Sequence, residues 1–416
     1  MSRQHMIRIG FVISIFFGEI GFGKTLTLEE ALNDFLAESP YIESQSYRVE
    51  EADRTAQSAF GRMLPSLNFN ASYIQQLDEP LFDDSQKIQE YALILRQNLF
   101  TGGASYYTWR TAKYLSENTK ASVAAIIQEL KLELIQAYLT VLTREEILKH
   151  QLEQVHVLKN QLSVVKTRFE AGSAILSDVR QAEARLAASE GAAALGRSQR
   201  DQALANFQRL LGLRPGISLQ WPELPKNLPT DVESLYQKAL DNNPSLAAAK
   251  MSIELEKSQM SVVRSQYLPE LAAEVRVIER DEGGMDQRQR QEFVLGMSMN
   301  LFNGLQTHHD LARSRLAVRR SREDLEIVKR RLRRDSEEVF SLHYAARSNL
   351  DSLELAVKSA EEATRAFQIE YQSGSRSLSD LLNAEEDLLQ SRIGLALARI
   401  DYYLSAFRIK LVEGSL

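Results

Sequence analysis

The segments Arg168-Phe-Glu-Ala-Gly-Ser-Ala-Ile-Leu-Ser-Asp-Val179 and Glu370-Tyr-Gln-Ser-Gly-Ser-Arg-Ser-Leu-Ser-Asp-Leu381 decide how this chain of 416 residues is organised. Each carries a glycine six residues before an aspartate, and the two glycines lie 202 positions apart. Glycine readily adopts the left-handed backbone angles that end a helix, and serine or aspartate can cap the helix that follows. Both segments are therefore predicted to be tips that join one long helix to the next.

The same spacing is found along the rest of the chain. Matched features recur at offsets of 202 to 204 positions: Pro40 with Pro244, Pro65 with Pro269, and Asn98-Leu-Phe100 with Asn300-Leu-Phe302. A repeat of about 200 residues is far longer than a solenoid unit. The chain is therefore predicted to be an internal duplication with two similar halves packed side by side.

The composition is that of a folded protein with no electrostatic preference for nucleic acid. Hydrophobic residues make up 44% and charged residues 25% of the chain, which is not a disordered composition. The net charge of -6 gives no reason to expect nucleic acid as the main partner. The chain has no cysteine, which excludes disulfides and thiolate metal sites.

Residues 1–23 are predicted to be a secretory signal peptide. Arg3 and Arg8 precede an uncharged apolar run, and Gly21-Phe-Gly23 offers the small residues that a signal peptidase accepts. The same region matches the phosphate-binding pattern G-x-x-x-x-G-K-[ST] from Gly18 to Thr25. A phosphate-binding loop needs a parallel sheet around it, and no further buried strands follow at the required spacing. The signal peptide is therefore the favoured interpretation.

Four segments alternate apolar and polar side chains with the period of a β-strand. Strands are predicted at about 66–76 and 89–100 in the first repeat and at about 269–280 and 291–302 in the second. About ten residues is also the length that a tilted strand needs to cross a membrane. On alternation alone, hairpins in a soluble sheet fit equally well. The sequence offers no further apolar layer to cover these faces, which favours lipid.

Two runs of 68 residues without glycine or proline follow the strand pairs. At 1.5 Å per residue, helices at about 104–171 and 305–372 would each be about 100 Å long. Their apolar residues recur at threes, fours and sevens, which predicts coiled-coil packing against a neighbour. Returning helices are predicted at about 177–211 and 379–412.

A proline-rich linker separates the two repeats. Residues 212–229 hold four of the nine prolines, a composition typical of an extended connection. The first repeat is therefore predicted to span residues 24–211 and the second to span residues 230–416.

Two repeats that each contain a strand hairpin, a very long helix, a glycine tip and a returning helix resemble the TolC-like outer membrane efflux proteins. The resemblance covers nearly all of the chain after residue 23 and is most specific at the two tips. It implies a mainly α-helical fold in which three copies share a 12-stranded membrane β-barrel and build a helical tunnel across the periplasm. The strands themselves point to oligomerisation, because a barrel in lipid needs closed edges and four strands cannot close alone.

The resemblance implies a passive channel and not an enzyme. It implies the outer membrane component of a tripartite efflux or type I secretion system, with a periplasmic adaptor (membrane fusion) protein and an inner-membrane pump of the RND or ABC type as partners. Outer membrane lipid would surround the barrel, and no cofactor is implied. The tip residues implied to contact the adaptor are Gly172, Ser173, Gly374 and Ser375. The alternative that the sequence leaves open is a non-transporting coiled-coil structural protein of the cell envelope.

In the resembling channels, side-chain links between the two tips close the tunnel. By position, this implies that Tyr371 bonds to Ser177 and that Arg376 bonds to Asp178. An Arg–carboxylate link is a charge-assisted contact that a partner protein can break, which suits a gate.

Acidic side chains ring the constriction of the resembling channels. Asp380 takes this position, whereas a second acidic position one helical turn on is Asn383 in this chain, a departure that weakens the case for strong cation block. Glu385 and Glu386 nearby could add negative charge. Asp178 and Asp380 could instead do no more than cap their helices.

A basic stretch and the histidines give weaker signals. Between Arg313 and Arg334 there are ten lysines or arginines and three acidic residues. Leucine and valine lie among them within one helix, so a solvated tunnel wall is favoured over a nucleic-acid surface. The adjacent His308 and His309 lack further ligands at metal spacing, and no metal site is predicted.

Overall fold

The computed structural model describes residues 25–75, 87–212, 218–282 and 287–416. The predicted signal peptide, the loop between the first two long strands and part of the linker lie outside these ranges. The described strands are β1 Thr25–Leu26, β2 Ser66–Gln75, β3 Lys87–Thr101, β4 Ser218–Leu219, β5 Glu270–Glu282 and β6 Gln287–Ser298. The described helices are α1 Leu28–Glu38, α2 Pro40–Gly61, α3 Ala104–Glu170, α4 Leu176–Leu211, α5 Val232–Asn242, α6 Pro244–Ser265, α7 Gln306–Gln372 and α8 Leu378–Glu413.

Four strands form one antiparallel sheet in the order β2-β3-β5-β6, so the two repeats meet where β3 pairs with β5. One row across the sheet joins Leu67, Leu95, Val275 and Phe293. All four side chains are exposed. The predicted alternation is confirmed, and it gives the sheet one continuous apolar face that the chain itself leaves uncovered.

The opposite face of the sheet is charged. Arg96 lies 3.4 Å from the carboxylate of Glu274. Arg276 donates its Nε hydrogen to the same carboxylate over 2.9 Å. Glu292 lies beside Arg276 in the register of β5 and β6. The two faces therefore suit two different surroundings, one apolar and one aqueous.

The fourth strand is shifted from its predicted position. β6 covers Gln287–Ser298, whereas the sequence predicts a strand at about 291–302. Ser298 pairs with Glu270, the first residue of β5. Pro269 directly before it has no N–H to donate, so the ladder stops there and residues 299–302 have no strand beside them in this chain. The other three long strands lie within two residues of the predicted bounds, and the four long helices within one.

Helices and strands follow the same lateral order. α2 leads into β2, β3 into α3, α6 into β5, and β6 into α7. Beside the sheet, α3 packs between α2 and α6, and α6 packs against α7. One lateral edge of the chain is therefore formed by α2 and β2, and the other edge by β6 and α7.

In a buried core, the first and last helices of the first repeat pack against the middle of α3. Phe35, Tyr138 and Phe207 are fully buried there. The rings of Tyr138 and Phe207 meet edge to face with centroids 5.7 Å apart. The Tyr138 hydroxyl lies 2.9 Å from the carbonyl oxygen of Leu26 and accepts a hydrogen bond from the Gln220 N–H over 3.2 Å. Thr27 is the N-cap of α1.

Farther from the sheet, each repeat forms a helical hairpin. α3 packs along α4, α7 packs along α8, and α3 also contacts α8. Among the described residues, none of the helices is both long and apolar enough to cross a membrane. The two hairpins end at the two tips that the sequence repeats.

Candidate functional site at the helical hairpin tips

Both tips are closed by the same backbone turn. Gly172 and Gly374 have φ of 72° and 81°, the left-handed angles that favour glycine. The Ser173 N–H donates to the Arg168 carbonyl over 2.8 Å, and the Ser375 N–H donates to the Glu370 carbonyl over 2.9 Å. These are the bonds that end a helix in the Schellman motif. The four tip residues implied to contact an adaptor, Gly172, Ser173, Gly374 and Ser375, are all exposed.

The helices that leave the two tips begin differently. Ser377 caps α8, because its hydroxyl accepts the Asp380 N–H over 3.2 Å and donates to the Asp380 carboxylate over 2.8 Å. α4 has Ile175 at the corresponding position and no side-chain cap. Asp178 therefore takes part in no capping bond, whereas Asp380 supports the cap of α8 through the Ser377 hydroxyl.

The predicted gate residues lie together at the tips, but they pair differently within one chain. Arg376 donates its Nε hydrogen to Glu370 over 2.7 Å, and its guanidinium lies 4.2 Å from the centre of the Phe367 ring. Arg168 covers the ring of Tyr371 at 4.8 Å. This contact joins α3 to α7.

The two predicted links, Tyr371 to Ser177 and Arg376 to Asp178, are absent from the described residues of a single chain. Ser177 is exposed and Asp178 is half-buried. Among the described residues, neither the Ser177 hydroxyl nor the Asp178 carboxylate has a hydrogen-bond or ion-pair partner.

Two hydrogen bonds between α4 and α8 were not predicted. Arg185 donates to the Asn383 side-chain oxygen over 2.9 Å, and Gln181 donates to the Ser379 hydroxyl over 3.2 Å. Both pairs are separated by 198 residues, which is the repeat offset less about one helical turn. Because the offset is the same for both pairs, the sequence alone could have indicated that these side chains meet. Asn383 is therefore engaged by a cationic side chain, at the position where the resembling channels often carry an acid.

Ion pairs continue the contact between the hairpins away from the tips. Arg392 of α8 lies 3.6 Å from Glu153 of α3 and 2.8 Å from Glu361 of α7. Arg399 donates to both carboxylate oxygens of Glu146 over 3.0 Å. The two hairpins are therefore joined both at their tips and farther along α3, α7 and α8.

Glu385 does not lie at the surface, although the sequence left it as a residue that could add negative charge near Asp380. Its side chain is buried, and one carboxylate oxygen has no hydrogen-bond partner. Burial raises the pKa of Glu385 to about 7, because an apolar surrounding disfavours the ionised form. Glu386 is half-buried, and its carboxylate accepts a hydrogen bond from the Gln390 side chain over 2.8 Å.

We expect Glu385→Gln to make the helical hairpins more stable at alkaline pH. A carboxyl whose pKa is raised from 4.5 to about 7 binds its proton more tightly in the folded chain, so stability is lost as the pH rises between these values. The loss reaches about 3 kcal/mol above pH 7, at 1.36 kcal/mol for each pH unit. Thermal unfolding at pH 5 and pH 8 measures it. Glu386→Gln is the control, and an equal pH response in both variants would contradict the assignment.

Metal and phosphate sites are the two other kinds of site that the sequence raised. The described residues contain no cluster of three or more histidine, cysteine, aspartate or glutamate side chains that could hold a metal ion. The phosphate-binding pattern ends at Thr25 and otherwise lies outside the described residues. The arrangement at the tips is one of helix ends, hydrogen bonds and ion pairs between hairpins.

A family model described as "Outer membrane efflux protein" matches residues 31–213 and 235–414. The chain is 23% identical over 399 residues to "Outer membrane protein TolC" of Vibrio cholerae, covering 94% of this chain and 91% of that protein. It is 25% identical over 301 residues to "Alkaline protease secretion protein AprF" of Pseudomonas aeruginosa, covering 70% of this chain and 62% of that protein.

Solved structures share the fold across almost the whole chain. The CmeC outer membrane channel of Campylobacter jejuni superposes with a TM-score of 0.83 and 14% identity, covering 100% of this chain and 94% of that one. The outer-membrane channel OprN superposes with a TM-score of 0.81 and 19% identity, covering 94% of this chain and 90% of that one. At these identities the superposition shows the fold.

Proposed function

Because the chain belongs to the outer membrane efflux protein family, whose members are outer membrane channels and not enzymes, we propose that three copies form a passive export duct. The duct serves a tripartite efflux or type I secretion system. A periplasmic adaptor and an inner-membrane pump of the RND or ABC type open the duct, and the pump supplies the energy for transport. The names of the relatives speak of the outer membrane, efflux and secretion, whereas the three copies, the adaptor and the pump are proposed for this chain.

The observation that carries the proposal is the sheet with one apolar face, one charged face and two open edges. The exposed apolar row suits contact with lipid, and the charged face suits a water-filled interior. Each strand is antiparallel to its neighbour, so β2 and β6 run in opposite directions. β6 of one copy can therefore continue the antiparallel ladder with β2 of the next.

Closure by three copies fits the size of a membrane barrel. Four strands cannot close, whereas twelve exceed the roughly eight strands of the smallest common barrels. No lipid-exposed sheet edge is tolerated in the hydrocarbon layer, because unpaired N–H and C=O groups cost several kcal/mol each. The helices α3 and α7, at 67 residues each, would extend the duct away from the membrane by about 100 Å at 1.5 Å per residue.

The proposed gate consists of the two tips. In the closed trimer, Arg376 would leave Glu370 for Asp178 of a neighbouring copy, and Tyr371 would bond to Ser177. Support comes from the exposure of Arg376 and from the absence of any capping bond at Asp178. The exposed glycine and serine pairs at the tips are proposed to contact the adaptor.

We expect Asp380→Ala to weaken block of the channel by multivalent cations. Three copies of this carboxylate around one axis would concentrate cations there, because like charges close together create a strongly negative site. A loss of about tenfold in apparent affinity corresponds to 1.4 kcal/mol. The measurement is cation titration of single-channel current, with Asp387→Ala one to two turns along α8 as the control. Equal block in Asp380→Ala and wild type would overturn the ring assignment.

Single-channel recording in planar lipid bilayers tests the proposed function itself. A trimeric duct gives discrete conductance steps from the purified protein alone. The alternative, a coiled-coil structural protein of the cell envelope, gives no conductance at any protein concentration. Absence of steps from protein that is folded and inserted would refute the proposal.

A further inference from the structure

We propose that charge decides which edges of neighbouring copies pair with each other. An arginine stripe on the α7 edge of one copy faces a glutamate stripe on the α2 edge of the next. The basic stripe consists of Arg315, Arg319 and Arg322, and the acidic stripe consists of Glu43, Glu50 and Glu51. This inference rests on the trimer proposed above and names the side chains that decide which edges meet.

The basic stripe lies on one face of α7 and has no partner within the chain. Arg315, Arg319 and Arg322 follow the i, i+4, i+7 spacing that places side chains on one helix face. All three are exposed, and none has a hydrogen-bond or ion-pair partner in the described part of the chain. Other arginines of the same helix do pair, as Arg313 does with Asp310 at 3.2 Å and Arg333 does with Glu337 at 2.8 Å. These three arginines therefore carry positive charge that no side chain of the described residues pairs with.

The acidic stripe lies on the outward face of α2. Glu43, Glu50 and Glu51 are exposed, on the side of α2 away from α3. Glu51 has no partner in the described part of the chain, and Glu50 pairs only with Arg54 of the same helix, at 3.1 Å. Glu43 accepts a hydrogen bond from the Tyr47 hydroxyl over 2.7 Å. Apart from Arg54 of the same helix, none of the described residues pairs an opposite charge with these three glutamates.

The two stripes lie at matching distances from the sheet. α2 ends beside β2 at Gly61, so Glu50 and Glu43 lie about 16 and 27 Å below that end at 1.5 Å per residue. α7 begins beyond β6 at Gln306, so Arg315 and Arg322 lie about 14 and 24 Å below its start. Since α2 and α7 belong to opposite lateral edges, pairing β6 with β2 of the next copy brings the two stripes side by side.

The partner that fits both stripes is a second copy of this chain. Each copy carries both stripes, so a ring of copies satisfies all of them, whereas nucleic acid could engage only the arginines of a chain whose net charge is -6. Exposed apolar residues accompany both stripes: Tyr47 on α2 is 59% exposed, and Leu316 and Ile327 on α7 are 62% and 55% exposed. Burying these side chains supplies affinity, and the charges supply selectivity and register.

Charge reversal tests the seam. The basic-stripe variant carries Arg315→Glu, Arg319→Glu and Arg322→Glu, and the acidic-stripe variant carries Glu43→Arg, Glu50→Arg and Glu51→Arg. We expect each alone to raise the trimer dissociation constant in detergent about tenfold, and the combined variant, which restores complementarity, to return it to within about threefold of wild type. Circular dichroism confirms that each variant is folded, and Arg408→Glu on α8 controls for added charge.

Two results would overturn the inference. One is a combined variant as weak as its parents. The other is a basic-stripe variant that forms normal trimers, and a reversed ion selectivity of those trimers would place the arginines in the tunnel wall. A wild-type protein that is not trimeric would instead refute the proposed function, so the two failures are distinguishable.

Discussion

Replacing Phe69 with arginine is expected to abolish assembly in the outer membrane. Phe69 lies on the apolar face of β2, is 68% exposed and stacks on Tyr91 with ring centroids 6.5 Å apart. An arginine facing lipid near the middle of a bilayer costs about 2–4 kcal/mol in a transmembrane barrel, and a trimer would carry three. The measurement is the amount of detergent-extractable trimer in isolated outer membranes.

The neighbouring position provides the matched control. Asn70 points to the charged face of the same strand, because side chains alternate along a β-strand. Asn70→Arg adds the same charge one residue away and is expected to assemble normally. Equal assembly of the Phe69 and Asn70 variants would show that the apolar face does not meet lipid.

Removing Arg376 and Asp178 together is expected to hold the duct open. A partly exposed ion pair contributes up to about 1 kcal/mol, which is about a fivefold change in the ratio of closed to open tips for each link. Three links act around the axis of a trimer. The double variant Asp178→Ala with Arg376→Ala should therefore conduct several times better than wild type in planar bilayers.

The structure supplies a control that separates two explanations of such a result. Arg376 pairs with Glu370 of its own tip over 2.7 Å. Glu370→Gln breaks that pair and leaves Asp178 and Arg376 available to each other, so its conductance should stay low. An open channel in Glu370→Gln, or an unchanged one in the double variant, would assign the closing contact elsewhere, with Arg185–Asn383 as the next pair to test.

Much of the fold could be predicted because it depends on local periodicity. The glycine tips, the long helices and three of the four strands follow from spacing that is written directly in the sequence. The fourth strand was misplaced because its end depends on a partner. β6 stops where β5 begins after Pro269, and alternation within one segment does not reveal where its neighbour ends.

The candidate site was harder to predict, because which side chains pair there depends on their length and on the packing of the helices around them. The place of Arg376 in the sequence predicts that it lies at the tip, but it does not predict the contacts of Arg376 with Glu370 and Phe367. Glu385 seemed to be a surface charge, whereas the packing of α8 buries it. The bond from Arg185 to Asn383 depends on how two hairpins sit against each other, and only its offset of 198 residues hinted at it.

The most direct test of the account is the mass of the purified protein in detergent, measured by light scattering with the detergent contribution subtracted. Three chains for each particle are expected, because the open edges β2 and β6 can be sealed only by other copies. A monomer that stays dissolved without detergent would contradict this expectation.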